Sequence, residues 1–289
     1  MNRTNSPYFA EGRMDRPGGL WAAAAPGGPY RLLVLKPELP GPVLGIETSA
    51  APAVALAVPG RPPLALASQR ERAHAEELAP LIQAVLAQAG IAPAQLAAIA
   101  VGAGPAPYTG LRIGLATARA LGLALAIPVW GVSALDVLAT GAAVALALPP
   151  GATILATGDA KRREVYWARY RVIANDAGPL AERLTEPSVG RPSDVARASA
   201  EARAQGEAGG GIVGYPARGS EGDVLVGGGA LAHPDQLPPA ANGPGRADPA
   251  VLARLAAQRA AAGRDLPAEP LYLRRPDVAP PGPRKRATA

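Results

Sequence analysis

The chain has 289 residues, enough for one large α/β domain or two smaller ones, and 48% of them are hydrophobic, so a substantial core is feasible. It has no cysteine and two histidines, His74 and His233, which excludes disulfides, iron-sulfur clusters and thiol nucleophiles and makes a histidine metal site hard to build. The formal net charge of +6 suits an acidic partner such as nucleic acid. The excess of arginine over lysine in a chain rich in Ala, Gly and Pro nevertheless favours GC-rich codon usage as the main cause.

The first ordered elements begin near Val43. Residues 1–42 have no hydrophobic periodicity and are predicted to be a disordered N-terminal extension, or the product of a start codon assigned too early. Apolar runs at 43–46, 53–58 and 64–68, separated by proline-containing turns, predict a meander of three strands. From His74 the apolar period becomes helical and continues to Ala89.

Strands and helices alternate in the next part of the chain. A strand at 96–101 leads into a Gly- and Pro-rich loop at 102–110, and a helix at 109–125 follows. A strand at 128–133 and a helix at 134–148 continue the pattern. This alternation predicts a mixed or parallel sheet covered by helices.

The helix at 109–125 has a small residue at every fourth position on one face: Gly110, Gly114, Ala118 and Gly122. Glycine inside a helix costs roughly 1 kcal/mol relative to alanine, so something must pack very close to this face. The sequence leaves two candidates open, another element of the same chain or a partner protein.

A second lobe is predicted to begin near residue 151. A strand at 153–159, a basic tip at 160–163 and an aromatic strand at 164–170 predict a hairpin. Between 174 and 247 little is predicted beyond a helix near 194–205 and short strands near 212–213 and 224–226. A last helix is predicted at about 249–262, and the basic end of the chain, 278–289, is expected to be disordered.

No membrane span is expected. The longest apolar stretch, 113–129, contains Arg119 near its middle and Pro128 near its end. Nothing at the N-terminus combines a positive region with an uninterrupted apolar core. The cytoplasm is therefore the expected compartment.

Two turns are weak candidates for phosphate binding. The candidate residues offer backbone N–H groups or hydroxyls, and they are Thr48, Ser49, Gly102, Gly104 and Thr109. Their spacing matches neither the Walker pattern nor the dinucleotide pattern, and tight turns between strands and helices are the simpler interpretation. Asp159 and Glu164 flank the basic hairpin tip, where charged residues are usually solvated. The sequence predicts no catalytic residue and no metal ligand.

Six blocks of the sequence carry a family resemblance. They are VLGIETS at 43–49, RAHAEELAPLI at 72–82, IAVGAGPAPYTGLRIG at 99–114, IPVWGVSAL at 127–135, DAKRREVYWA at 159–168 and PLYLRRPD at 270–277. In this order they resemble the bacterial tRNA threonylcarbamoyladenosine biosynthesis proteins of the TsaB, or YeaZ-like, type, within the Gcp-like domain family related to the M22 glycoproteases.

The resemblance implies an α/β fold of two actin-like lobes, of the acetate and sugar kinase, Hsp70 and actin type, with RNase H-like mixed sheets flanked by helices. It implies a Gcp-like first lobe over 43–150 and a second lobe over 151–277, with a low-complexity insert at about 175–247. The implied role is a non-catalytic scaffold subunit in the formation of N6-threonylcarbamoyladenosine at position 37 of tRNA. The implied partners are a TsaD-like catalytic subunit and a TsaE-like ATPase. Contact with tRNA is implied to be indirect, and a homodimer is a further possibility. No cofactor of its own is implied, and ATP enters only at the level of the complex.

Two comparisons with the family pattern bear on activity. The related TsaD pattern has two histidine metal ligands four residues apart, and Ala134 and Leu138 stand at those positions here, where neither can bind a metal. The family usually has aspartate where Glu47 stands, and its phosphate loop lacks the Pro107 found here, which removes an N–H donor. Both departures argue against nucleotide chemistry by this chain alone.

The resemblance also implies where the heterodimer contact lies. The helices of the first lobe form it, and the predicted interface residues are Leu78, Ile82, Val85, Gly110, Gly114, Ala118 and Gly122. On this interpretation a leucine at position 114 or 118 blocks pairing while the monomer still folds. Two alternatives stay open. One is a small ATP-binding, kinase-like enzyme of the same fold, and the other is a direct tRNA-binding module that uses Lys161, Arg162, Arg163, Arg274, Arg275 and Arg284.

Overall fold

The computed structural model describes residues 20–22, 40–70, 73–175, 178–204, 222–240 and 242–274. These residues form two mixed sheets flanked by helices, which confirms the predicted fold class. The strands are β1 (Leu20–Ala22), β2 (Val43–Glu47), β3 (Ala53–Ala57), β4 (Leu64–Ser68), β5 (Ala98–Gly102), β6 (Val129–Val132), β7 (Thr153–Asp159), β8 (Val165–Ile173), β9 (Leu180–Arg183), β10 (Ser188–Gly190) and β11 (Val224–Val226). The helices are α1 (His74–Ala89), α2 (Tyr108–Leu125), α3 (Ala134–Ala145), α4 (Pro192–Ala204), α5 (Gly228–Ala232) and α6 (Pro249–Ala261), and a 3₁₀ turn spans Pro93–Gln95.

The first sheet has the strand order β1-β4-β3-β2-β5-β6. The predicted meander β2-β3-β4 is antiparallel, while β5 and β6 run parallel to β2. Successive residues of β2 point to opposite faces, so Leu44 packs against α1 and α2, whereas Val43 packs towards α6. Gly45 lies beneath the start of α6, where an added Cβ would fall 2.2 Å from the Pro249 carbonyl oxygen. Both faces of this sheet are therefore covered.

The second sheet has the order β10-β8-β7-β11, and β9 also pairs with β8. The predicted hairpin β7-β8 forms its centre. Helix α3 covers one face through Leu135 and Leu138, while α4 and α5 cover the other with Val195 and Ala230. The second lobe thus has its own core on each side of the hairpin.

The two lobes exchange helices across the predicted boundary near residue 150. The limit near residue 150 separates the two sheets, but α3, placed with the first lobe, packs mainly on the second sheet. Helix α6, placed with the second lobe, packs on β2, β3 and β5 of the first sheet. Ten consecutive residues of α3, from Ala134 to Ala143, are buried, so this helix needs cover on every side and lies between the lobes.

Two other segments can be compared with their predictions. Within the N-terminal segment expected to be disordered, Leu20–Ala22 form a strand that pairs antiparallel with β4. The insert at about 175–247 contains β9, β10, α4, β11 and α5, and α4 and β11 match the predicted helix near 194–205 and strand near 224–226. The remainder of 1–42, the predicted strand at 212–213 and the tail at 278–289 lie outside the described residues. Among the described helices, none is long and apolar enough to cross a membrane.

Candidate functional site

The five phosphate-loop candidates converge where β2, β5 and α2 meet. Glu47, the last residue of β2, is 3% exposed, and its Oε1 accepts a hydrogen bond of 2.7 Å from the Ser49 N–H. Its Oε2 has no hydrogen-bond partner among the described residues. Burial raises the pKa of the Glu47 carboxyl, and the hydrogen bonds from Ser49 and Thr48 offset this only in part.

Backbone groups of the loop that follows β5 are hydrogen-bonded to other parts of the protein's own backbone. The Ala103 N–H donates to the Val132 carbonyl at 2.8 Å, the Ala103 carbonyl accepts from Leu271 at 2.8 Å, and the Gly104 carbonyl accepts from Ala134 at 2.7 Å. An added Cβ on Gly102 would lie 2.5 Å from the Glu47 carboxylate. A phosphate at this point would face a carboxylate, so the geometry favours a packed turn over a phosphate cradle. Nucleotide binding at Thr48, Ser49, Gly102, Gly104 and Thr109 stays a prediction.

The small-residue face of α2 points into the molecule. An added Cβ would lie 2.8 Å from the Thr48 carbonyl oxygen at Gly110, 2.3 Å from Thr48 Oγ1 at Gly114 and 2.2 Å from Val129 Cγ2 at Gly122. The close neighbour that this stripe requires is therefore the same chain. The chain's own packing buries all seven predicted interface residues, and their role in pairing stays a prediction: Leu78, Ile82, Val85, Gly110, Gly114, Ala118 and Gly122.

The exposed faces of α1 and α2 have a different composition. On α2 the exposed residues include Ala116, Ala120 and Ala124 at intervals of four, together with Leu123, which is 85% exposed. On α1 they include Ala79, Gln83 and Ala87. The residues of this surface are absent from the predicted interface because the glycine spacing indicates the opposite face of α2. The available signal was alanine, at a spacing of four residues, where a solvent-facing helix usually has charged side chains.

An aromatic and cationic cluster lies at the start of α2. The rings of Tyr108 and Tyr272 stack with their centroids 5.2 Å apart, and the Arg112 guanidinium carbon lies 3.7 Å from the Tyr108 centroid. Arg112 Nε donates to the Tyr272 hydroxyl at 2.9 Å. Further along α2, Arg119 donates to the Ala268 carbonyl. These contacts hold the C-terminal segment against α2.

The positions that correspond to metal ligands in the TsaD pattern lie on α3. Ala134 and Leu138 are buried there, and Asp136 lies between them in the sequence. The Asp136 carboxylate accepts bonds of 2.7 Å from Arg183 Nε, 2.7 Å from Arg259 and 2.8 Å from the Tyr170 hydroxyl. Burial alone would raise the pKa of Asp136, but Arg259 and Arg183 outweigh it and hold the pKa below its ordinary value. Asp136 therefore acts as a structural anchor. Within the described ranges, no cluster of three His, Cys, Asp or Glu residues could hold a metal.

The tip of the β7-β8 hairpin borders a basic cavity of about 650 Å³. Arg162 and Arg163 come from the tip, Arg191 precedes α4, and His233 follows α5. The sequence indicates the basic tip but not that Arg191 and His233 lie beside it, because residues so far apart in the chain meet only through the fold.

These features define a two-lobed α/β protein of the actin-like class. The family model for TsaD, tRNA N6-adenosine threonylcarbamoyltransferase, matches residues 66–205. Uncharacterized protein Mb3455c of Mycobacterium bovis is 43% identical over 160 residues, which cover 54% of this chain and 72% of that protein.

Two named relatives specify the family further. The tRNA threonylcarbamoyladenosine biosynthesis protein TsaB of Escherichia coli is 36% identical over 121 residues, 41% of this chain and 51% of that protein. The structure of YeaZ from Pseudomonas aeruginosa superposes with a TM-score of 0.62 at 26% identity, covering 81% of this chain and 100% of that one. Together these similarities support a TsaB-like, or YeaZ-like, protein, as its sequence blocks predict.

Proposed function

We propose that this protein takes part in the formation of N6-threonylcarbamoyladenosine in tRNA as a non-catalytic scaffold that pairs with a TsaD-like catalytic subunit. Support for the reaction comes from the named relatives, three of which are TsaB proteins of this biosynthesis. The alkyl side chains at 134 and 138 support a scaffold role, because the TsaD pattern has metal ligands there. A TsaE-like ATPase and its ATP belong to the proposal only at the level of the complex, in the cytoplasm.

The observation that carries the proposed pairing is the alanine-rich exposed stretch of α1 and α2, which lies beside the exposed charges of Glu76, Arg112 and Arg119. Leu123 is the most exposed large hydrophobic residue of the described chain, at 85%. The alanines beside it leave room for the backbone of another helix to approach closely. An apolar helix face that the protein's own chain leaves uncovered is typical of an interaction site.

The test of the proposed function is reconstitution of the modification. A TsaD-like subunit, a TsaE-like ATPase, the activated threonylcarbamoyl donor and unmodified tRNA are combined with or without this chain, and modified adenosine is measured by mass spectrometry of digested tRNA. We expect the product to fall sharply when the chain is omitted. Unchanged product on omission would overturn the proposed function.

A further inference from the structure

The basic cavity at the hairpin tip brings together three separate elements of the second lobe. The tip of β7-β8, the start of α4 and the end of α5 surround a volume of about 650 Å³. This volume lies within the range of small-molecule sites, roughly 300 to 1,000 Å³. The polar side chains that matter for recognition are Arg162, Arg163, Arg191, Ser193 and His233.

The charge of the cavity is strongly positive. Glu164 is its one acidic lining residue, and Arg274 forms an ion pair with that carboxylate. Nearby, Asp194 is bound by Arg197 at 3.4 Å, and Asp159 is bound by Lys161 at 2.7 Å. Among the residues that the structure describes, Arg163 and Arg191 form no ion pair. Their guanidinium groups are exposed at the cavity and available to an anion.

The backbone of the tip supports a role beyond turning the chain. Lys161, Arg162 and Arg163 have φ values of 62°, 53° and 61°, in the left-handed region that glycine occupies at little cost. A turn selected for stability alone would have glycine here. Non-glycine residues held in this region are typical of functional sites, where the side chain is needed.

We propose that this cavity binds phosphate groups of an RNA backbone. Guanidinium forks match the oxygen pairs of phosphate and of carboxylate alike, so the geometry by itself selects an oxyanion. The choice of RNA rests on the proposed function, which gives the complex a tRNA substrate. The cavity lies on the second lobe and the outer face of α1 and α2 on the first, so one chain can contact RNA and a protein partner with different surfaces.

The experiment measures binding of a full-length tRNA transcript to the full chain by fluorescence anisotropy, between about 50 and 200 mM salt. The test variant is the double substitution Arg163→Gln and Arg191→Gln. We expect binding roughly tenfold weaker and a log-log salt slope smaller in magnitude by about 2, one for each lost phosphate contact. Arg197→Gln is the matched control, because Arg197 lies on α4, is exposed and does not line the cavity. Its tRNA affinity should stay close to that of the wild type.

A second variant separates binding from folding. Arg163→Gly removes a guanidinium and relaxes a positive φ, so its thermal stability should be equal to or above that of the wild type while tRNA affinity still falls. Unchanged tRNA affinity in the double variant overturns the inference. Polyglutamate is titrated in the same assay as a probe for an acidic protein. If the double variant loses polyglutamate binding but keeps its tRNA affinity, the inference is also overturned and the ligand is an acidic protein. If omission of the chain leaves modification unchanged but the double variant still loses tRNA, the proposed function fails and the RNA site stands.

Discussion

Asp136 is a buried carboxylate that joins elements from both lobes. It belongs to α3, while Arg183 comes from β9, Tyr170 from β8 and Arg259 from α6. Because α6 packs on the first sheet and β8 lies in the second, the cluster connects the two lobes through one side chain. No sequence motif predicts a role for Asp136. Its partners are 34 to 123 positions away, a distance that no local pattern reveals.

The variant Asp136→Asn should lower the free energy of unfolding by about 3 kcal/mol at pH 7, because it removes the buried carboxylate charge that Arg183 and Arg259 share. The folded pKa of Asp136 lies below its ordinary value. Its stabilising contribution is therefore complete above the unfolded pKa, about 3.9, and is lost as the pH falls through the folded pKa. Urea unfolding at pH 7 and below pH 4 should show the wild-type advantage shrinking with acid. The exposed Asp194→Asn variant is the control, and an equal loss in both variants would contradict the anchoring role.

At the scale of elements, α2 shows which features of a helix the sequence predicts and which it does not. Its bounds, Tyr108–Leu125, match the predicted helix closely, and the need for a close neighbour along the glycine face is confirmed. The sequence left the identity of that neighbour open between the same chain and a partner, because periodicity identifies a face and not what covers it. That neighbour is the turn after β2, in particular Thr48, together with Val129 of β6.

The variant Gly114→Ala should destabilise the monomer, contrary to the expectation that position 114 accepts a larger residue. The added Cβ would meet Thr48 Oγ1 at 2.3 Å, and the β-branched Thr48 has little freedom to move. We expect a loss of about 1 to 3 kcal/mol in chemical unfolding, despite the better helix propensity of alanine. Gly141→Ala on α3 is the matched control, since its Cβ would meet Val251 at an ordinary 3.8 Å. If the Gly114→Ala protein is as stable as the wild type, Thr48 and the turn after β2 can move to accommodate the added Cβ, and the expected destabilisation is wrong.

The variant Ala120→Glu tests the outer face of the same helix. Ala120 is exposed, so the monomer should keep its stability to within about 0.5 kcal/mol. In the complex the buried carboxylate would be unpaired, so co-purification with the TsaD-like subunit should be lost. Ala200→Glu, at an exposed position on α4, provides the same substitution away from this face. Normal co-purification of the Ala120→Glu protein would rule out the outer face of α2 as the contact.

At the scale of the whole molecule, the sequence predicted two lobes but not how the chain passes between them. The strands of each sheet come from continuous stretches with a clear period, so the division near residue 150 could be recognised. The placement of α6 on the first sheet could not be recognised from the sequence. The apolar face of α6, which includes Val251 and Leu255, would fit either lobe equally well. The basic cavity could not be predicted either, because its lining residues come from separate elements that only the fold brings together.

The C-terminal segment 266–274 contacts the cores of both lobes. The Gly131 N–H donates to the Leu266 carbonyl at 2.9 Å, and this contact binds the segment to β6 at the edge of the first sheet. Further along, Ala268 packs against the first core and Leu273 against the second. Arg274 then binds Glu164 and the Ala160 carbonyl at the base of the β7-β8 tip.

Truncation after Arg264 should therefore weaken both lobes, while truncation after Arg274 keeps every one of these contacts. The shorter chain loses two backbone hydrogen bonds, those between Gly131 and Leu266 and between Leu271 and Ala103, each worth about 1 kcal/mol. Together with the lost apolar contacts of Ala268 and Leu273, the expected decrease is about 3 kcal/mol in the free energy of unfolding. Hydrogen exchange should speed up at β6 and at the hairpin tip alike, because one segment protects both. Faster exchange at β6 alone would mean that the second lobe is held by α3 and the Asp136 cluster without help from the segment.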